Sequence, residues 1–401
     1  MRKWSKAENR LAAYSFIVLC VYVFVFSYYT TIDLSSRDKL ESPFGVDFAV
    51  YYTAGQMVTT GNLDNIYNVQ EHHAALEEVL NRKIPFNLSW VYPPTFLLAI
   101  VPFSYFSYYL ALALWLIITF TLAVYSVYLT LPNHKSIALL ICGFPGVLMN
   151  LRWGQNGFLN TAILGFGIYF VESNPIMSGL MFGLMTYKPQ LAFFPLLFLL
   201  LTKKWKVLRW AILFSTITAL ASVIIFGYSI WINFINVFVH TSSALLTSVW
   251  ETTAAIQPTL YSAFRIWGLK GYALQITMLI IAIIATLCLL WVWKKTNRFS
   301  IKGSVLIIGI FLTMPYYVQY DLMVLSIPLV LIAYDFLEYG YRPCELLILI
   351  TLWLLPLVNW PFVLLTGIQI CPFILMIVMI MLSLRVKNQI TIDQIEYKVY
   401  Q

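Results

Sequence analysis

The sequence predicts an all-α integral-membrane protein: a polytopic bundle of about twelve transmembrane helices, at roughly 20 residues per crossing, with a long first extracytoplasmic loop. Three observations carry that expectation. Hydrophobic residues make up 61% of the 401 residues and charged residues only 10%, against about 25% charged in an ordinary soluble domain. The apolar residues fall in continuous runs rather than in alternation. In lipid the backbone satisfies its polar groups only as helix or closed barrel, so continuous runs select helices. Finally, the formal net charge of +8 is gathered at the ends of apolar runs, which reads as orientation across a membrane. No basic patch interleaved with aromatics forms a nucleic-acid footprint.

The first run, Leu11–Tyr29, follows Arg2, Lys3, Lys6 and Arg10 and lacks a small-residue cleavage site before the polar stretch that opens near Thr31. It is expected to be an uncleaved helix with its N-terminus inside. Residues 31–92 are the expected first extracytoplasmic loop, because acids outnumber bases there by eight to four. Lys203, Lys204, Lys206 and Arg209, then Lys294, Lys295, Arg298 and Lys302, then Arg385 and Lys387 are expected in the cytoplasm. Fitting crossings between these points predicts helices near 11–29, 106–130, 136–150, 156–171, 175–187, 190–202, 208–226, 271–293, 303–315, 322–338, 344–359 and 364–385, with both termini cytoplasmic. Thr95–Phe106 is apolar but too short to cross and is expected to be re-entrant or interfacial. Residues 227–270, rich in Trp, Phe and Thr, are the expected second extracytoplasmic loop, lying along the interface as amphipathic helix. No linker or repeat divides the chain, so residues 1–401 are taken as one membrane domain. The five cysteines lie in or beside apolar runs, without metal-site spacing, and read as buried thiols.

This topology gathers nearly every unusual polar residue on the outer face: Asp47, Tyr92-Pro93-Pro94, Arg152–Asn156, Lys188-Pro189-Gln190, Gln257, Arg265 and Tyr316–Asp321. Charges at bundle depth cost about 2.5–3.5 kcal/mol on insertion scales and are usually kept for function. Asp47 and Tyr51 share a helical face by i, i+4 spacing. Asp47 reads either as a general base at the membrane surface or as a helix N-cap. Lys188, turned out of helical geometry by Pro189, could hold a lipid-linked phosphate or snorkel to the headgroups. Arg152 could bind phosphate oxygens bidentately or end a helix, and Arg265 could be a ligand or an interfacial anchor. Asp321 reads as an N-cap or as a group that orients a sugar hydroxyl. Tyr51, Tyr52, Tyr92, Gln155, Gln190 and Tyr320 are further candidates for sugar or acceptor contacts. His72 and His73 lack the H-E-x-x-H arrangement of a zinc protease and read as solvated loop residues. Gly154-Gln155-Asn156-Gly157 carries no phosphate-binding glycine pattern.

In order and spacing, these pieces resemble bacterial polyprenyl-phosphate-sugar-dependent glycosyltransferases of family 87. The resemblance runs through Asp47-Phe48, Tyr51-Tyr52-Thr53-Ala54-Gly55, Gly61, Ile66-Tyr67-Asn68, Tyr92-Pro93-Pro94, Pro102 and Trp115. It continues through Gly154-Gln155-Asn156, Gly179 to Gly183, Lys188-Pro189-Gln190, Phe226-Gly227, Trp231, Pro315-Tyr316 and Tyr320-Asp321. It implies a multi-helix bundle of the GT-C superfamily in the bacterial cell membrane, a mannosyl- or arabinofuranosyltransferase whose long first loop bears a catalytic aspartate. Asp47 stands at that position. Lys188, with Arg152 and Arg265 as further cations, would hold the donor phosphate. The implied partners are a polyprenyl-phosphate-linked sugar donor, a glycan or glycolipid acceptor and the surrounding lipid. No cofactor and no obligatory metal are expected: the leaving phosphate needs only cations, and there is no Asp-x-Asp pair. The competing classes are a transporter or flippase for lipid-linked sugars, which would favour repeat symmetry and charges at the midplane, and a non-catalytic partner in envelope polysaccharide assembly.

Overall fold

The computed structural model describes residues 6–35, 43–85, 88–247 and 256–399. Arg2, Lys3, Arg37, Asp38, Lys39 and Glu41, used above to orient the chain, and residues 248–255 of the second expected loop lie outside the described residues. Among the described residues, seventeen α-helices follow one another: α1 (Lys6–Ser35), α2 (Val46–Thr59), α3 (Val69–Leu80), α4 (Pro94–Ile100), α5 (Tyr108–Leu129), α6 (Gly146–Trp153), α7 (Gly157–Phe170), α8 (Pro175–Leu184), α9 (Pro189–Leu201), α10 (Trp205–Phe226), α11 (Ser229–Thr247), α12 (Leu260–Ile266), α13 (Gly271–Lys295), α14 (Phe299–Thr313), α15 (Ser326–Tyr339), α16 (Pro343–Thr366) and α17 (Cys371–Val399). Short 3-10 turns join several of them, and the described residues contain no strand.

The protein is an all-α polytopic membrane protein. Among the described residues, six helical stretches are long and apolar enough to cross a membrane alone: Tyr108–Leu129, Trp205–Phe226, Gly271–Lys295, Gln319–Tyr339, Pro343–Thr366 and Cys371–Gln389. Six shorter apolar helical stretches accompany them. Composition decides which helices are central. Residues along α14 (Ile301, Val305 to Leu312) and α15 (Ile327 to Ala333) are apolar on every side and almost entirely buried, as a helix at the heart of a bundle must be. The outer helices α10 and α13 instead turn Ile212, Ile224, Leu279 and Ile283 outward, an exposure that only lipid makes favourable.

Two expected crossings are broken. Residues 136–150 form a 3-10 turn, Lys135–Ile141, followed by the eight-residue α6, and 175–187 form α8 plus the turn Met185–Tyr187. Gly143, Pro145 and Gly146 interrupt the first, and neither piece has the length to span. The largest departure is in the first expected loop. Its α2 is mostly apolar, and ten of its fourteen residues are buried in the bundle. His72 on α3 is likewise fully buried rather than solvated. Thr95–Phe106 folds as the short α4 and a 3-10 turn. Cys142 and Cys371 are buried as expected and Cys288 partly so, but Cys20 and Cys344 face outward.

Close helix approach follows the small residues. A Cβ on Gly179 would stand 2.3 Å from Trp210 Cβ, and one on Gly183 would stand 2.7 Å from the Ala211 carbonyl. This small-xxx-small stripe lets α8 and α10 pack backbone to backbone, as glycines do in membranes.

Candidate active site

Two left-handed glycines bring the first functional side chains together. Gly45 (φ +69°) caps α2 and Gly154 (φ +68°) ends α6, a conformation open to glycine at little strain. The Gly45 amide donates to the Arg152 carbonyl at 3.0 Å. A Cβ on Gly154 would meet Phe48 Cβ at 2.6 Å, so only bare backbone permits the approach. The start of α2 is thereby pressed against the α6–α7 connection. Asp47 lies in the first turn of α2 and is not its N-cap, which is Gly45 without a side-chain cap.

The carboxylate of Asp47 accepts a hydrogen bond from Gln155 Nε2 at 3.0 Å. One turn further on, the Tyr51 hydroxyl donates to the other end of the same amide, Gln155 Oε1, which also accepts from the Asn156 backbone amide at 3.0 Å. Gln155 is fixed in one orientation because both its ends are taken. Burial pushes the Asp47 carboxyl up from its ordinary 3.8 to about 6, against the lowering effects of the Gln155 hydrogen bond and of the Arg152 and Lys188 charges. Burial also raises the Tyr51 and Tyr92 hydroxyls, so both stay protonated donors.

From Tyr51 the network runs across the bundle. Its hydroxyl lies 3.0 Å from the Tyr92 hydroxyl, which accepts from Asn156 Nδ2 at 3.0 Å. Asn156 Oδ1 accepts from Lys188 Nζ at 3.2 Å, and Lys188 Nζ donates to Asp321 Oδ1 at 2.5 Å. Asn160, one helical turn after Asn156, donates to Asp321 Oδ1 at 3.0 Å and accepts from the Tyr187 hydroxyl. Lys188 precedes Pro189 and lies outside helical geometry (φ −126°, ψ 79°), as the residue before a proline should. Its ammonium is buried and 5.1 Å from the centre of the Tyr320 ring, so it does not snorkel. Asp321 bonds the Val318 amide at 3.2 Å through Oδ2; it both caps its 3-10 turn and holds Lys188.

Two cavities flank this network. One, of about 420 Å3, is lined by Asp47, Tyr51, Tyr92, Gln155 and Tyr320, with Trp153, Trp360 and aliphatic side chains completing the wall. The other, of about 500 Å3, is lined by Tyr92, Lys188, Gln190, Tyr316 and Tyr320, with Phe193, Phe234 and Phe238 among its apolar residues. Val91, Tyr92 and Tyr320 belong to both walls. Phe193 is 68% exposed and Phe238 47%, so the second cavity opens toward the lipid-facing surface.

The chain matches the model of glycosyltransferase family 87 over residues 90–315, more than half its length. The chain belongs to glycosyltransferase family 87. No curated protein and no solved structure matches it. The stretch matched by the family 87 model contains Tyr92, Gln155, Lys188 and Gln190; Asp47 lies before it, and Tyr320 and Asp321 after it.

Of the residues singled out from the sequence, Asp47, Tyr51, Tyr92, Gln155, Lys188, Gln190 and Tyr320 line the two cavities, and Asp321 stands behind the wall, holding Lys188. Tyr52, Arg152 and Arg265 line neither. Tyr52 donates to the Phe106 carbonyl at 2.8 Å. Arg152 donates to the Pro43 carbonyl at 2.9 Å and lies over Phe44 and Trp153, within reach of Asp47 by charge alone. Arg265 lies 5.8 Å from the Tyr261 ring centre on α12. Among the described residues, no group of three or more His, Cys, Asp or Glu converges as a metal-ligand set. Asn160 and Tyr187 were not singled out from the sequence, and Asn156 was noted only as part of the stretch Arg152–Asn156, with no role of its own. The signal for Asn156 and Asn160 was two asparagines at i, i+4 in an apolar helix.

Proposed function

We propose that this family 87 enzyme transfers a sugar, mannose or arabinofuranose, from a polyprenyl-phosphate donor to a glycan or glycolipid acceptor, with inversion and with Asp47 as general base. The observation that carries the reading is the pair of cavities meeting at Tyr92 and Tyr320, with the raised carboxyl of Asp47 in one and the ammonium of Lys188 on the other. The lipid-opening cavity suits the donor, its polyprenyl chain against Phe193, Phe234 and Phe238 and its phosphate against Lys188. The other cavity suits the acceptor. An acceptor hydroxyl attacks the anomeric carbon, the bond from that carbon to the phosphate oxygen breaks, and the phosphate keeps the bonding electrons. Asp47 takes the hydroxyl proton, and its pKa near neutrality fits that task. Lys188 stabilises the charge that grows on the leaving phosphate. Of its three N–H donors, Asn156 and Asp321 take two; the phosphate takes the third. Arg152 acts on Asp47 through its field.

The site faces the extracytoplasmic side and both termini the cytoplasm. In a cysteine-free background, an impermeant thiol reagent added outside labels Asp47→Cys and Gln155→Cys but not Arg342→Cys; the reverse pattern inverts the topology. For the chemistry, purified protein in detergent is given radiolabelled polyprenyl-phosphate mannose or arabinofuranose together with membrane-lipid acceptors. Transfer by wild type and none by Asp47→Asn supports the reading. Equal transfer by both removes Asp47 as the base.

A further inference from the structure

A third cavity, of about 500 Å3, lies at the far ends of α14 and α15 from the site. Arg298, Tyr339, Arg342, Glu345, Arg385 and Asn388 line it, so four helices, α14 to α17, contribute to one opening. Behind it, the Asp335 carboxylate is saturated. It accepts from Arg298 Nε at 2.9 Å, from Ser300 Oγ at 2.8 Å and from Arg385 Nε at 3.0 Å, and Arg298 Nη2 adds a further bond. Glu345 is taken by Arg385 Nη1 at 2.7 Å and by the Arg342 backbone amide at 2.8 Å. These bonds fix two guanidinium planes without using every N–H. Arg298 Nη1 reaches Gln389 Oε1 only at 3.4 Å, a long contact that a better acceptor would replace. Arg342 stands exposed at the rim. Three arginines against the two carboxylates of Asp335 and Glu345 leave the opening positive.

Its surroundings are those of a lipid. Tyr339 and Tyr341 are more than half exposed beside it, as aromatic side chains are at a membrane interface. Directly beyond Glu345 and Arg385, the bulky apolar side chains of Leu347, Ile350, Ile380 and Leu384 face outward, a surface against which acyl chains lie. We propose that this opening binds the phosphate headgroup of an anionic phospholipid. The bound lipid ties α14, α15, α16 and α17 together at the membrane face opposite the sugar-transfer site. The basis is charge complementarity: preorganised guanidinium groups match phosphate oxygens bidentately, and basic pockets between transmembrane helices hold such headgroups.

The test uses delipidated full-length protein in detergent, with lipid binding counted by native mass spectrometry and stability read by thermal unfolding. The probes are phosphatidylglycerol, phosphatidylcholine with the same acyl chains, and inorganic phosphate. Phosphatidylglycerol should bind wild type at least about tenfold more tightly than phosphatidylcholine and raise the melting temperature. Arg342→Gln should weaken it about fivefold, the effect of one basic residue near an anionic headgroup. Arg342→Gln lies outside the Asp335 ion cluster and leaves the fold intact. Asn388→Asp, which adds a negative charge to the wall, is an independent second variant expected to weaken binding as well. Equal binding of the two lipids by wild type, or unchanged phosphatidylglycerol binding by both variants, overturns the site. Stabilisation by inorganic phosphate as large as that by phosphatidylglycerol overturns the lipid as its occupant.

Discussion

At one end of the α14–α15 pair, Asp321 holds Lys188; at the other, Asp335 is held by Arg298 and Arg385. Both carboxylates are about 1% exposed. The difference lies in where their networks lead. Around Asp335 four donor groups occupy the carboxylate and join the N-terminus of α14 to α15 and α17, while Arg298 and Arg385 line the third cavity. Around Asp321 the ammonium it holds also lines a cavity open to lipid, and the network continues through Asn156, Tyr92 and Tyr51 to Asp47, a carboxylate whose one side-chain donor is Gln155. Burying an ion pair is therefore no mark of function in this protein. A cation on a cavity, which both ends have, is no mark either; what sets the transfer site apart is a network that leads from that cation to a second carboxylate, Asp47, in the neighbouring cavity.

That contrast breaks most visibly at Asp47. Removing a general base lowers rate by about 10²–10⁴-fold, so Asp47→Asn should lose transfer by that factor while binding donor like wild type, measured by single-turnover transfer and by donor affinity. Asp335→Asn, at the other end, should keep the transfer rate per folded molecule. A comparable loss of transfer in folded Asp335→Asn would erase the distinction between the two ends.

Stability should rank the ends the other way. Asp335→Ala leaves two buried guanidiniums without their shared carboxylate, and breaking one partner out of such a cluster costs about 3–5 kcal/mol. Asp47→Ala removes a single hydrogen bond from Gln155 and should cost far less. Thermal unfolding in detergent reads both. Equal losses in the two variants would show that Asp47 is as deeply built into the fold as Asp335.

Some of this was legible in the chain and some was not. Composition and apolar runs sufficed for the helical membrane class, and the i, i+4 spacing of Asp47 and Tyr51 put both on one wall of one cavity, bracketing Gln155. The charged flanks of α2 concealed that the helix itself, Val46 to Thr59, is mostly apolar and packs inside the bundle. Pro189 foretold that Lys188 leaves helical geometry, but no local pattern says that its ammonium turns in to Asp321, 133 residues away. Arg152 shows the same limit. A guanidinium at a helix end beside the site could turn to the cavity or away from it, and the Pro43 carbonyl, Phe44 and Trp153 decide the matter only once α1, α2 and α6 are packed. Cavities are what helices leave between them, and the sequence of each helix records its own faces rather than the gaps.

Lys188 sharpens the comparison further. A hydrogen bond to a charged group contributes about 1.5–3 kcal/mol, so Lys188→Ala should weaken binding of polyprenyl-phosphate sugar by roughly 10- to 100-fold in protein that still elutes as folded material. Affinity for the acceptor, in the other cavity, should change little. Unchanged donor affinity would leave the ammonium as a purely structural partner of Asp321 and make the two ends of α14–α15 alike.

The smallest effect is the one most particular to Asp47. Its carboxyl titrates near 6 in the fold and near 3.8 when solvated, so between those values the folded protein binds more protons than the unfolded chain. Stability then falls as pH rises through that window, and the penalty is fully present above about pH 6. Asp47→Asn removes the penalty. It should be more stable than wild type at pH 8 by about 1–2 kcal/mol, less than the full shift converts to because the carboxyl keeps some contact with its cavity, and equally stable near pH 4. Transfer runs the opposite way: the base works only when ionised, so the rate should rise through about pH 6 to a plateau. One group thus makes the enzyme more active and less stable over the same pH interval. A transfer rate that is flat from pH 5 to 8, or a stability difference between wild type and Asp47→Asn that grows toward acid, would show that the titrating group is not Asp47.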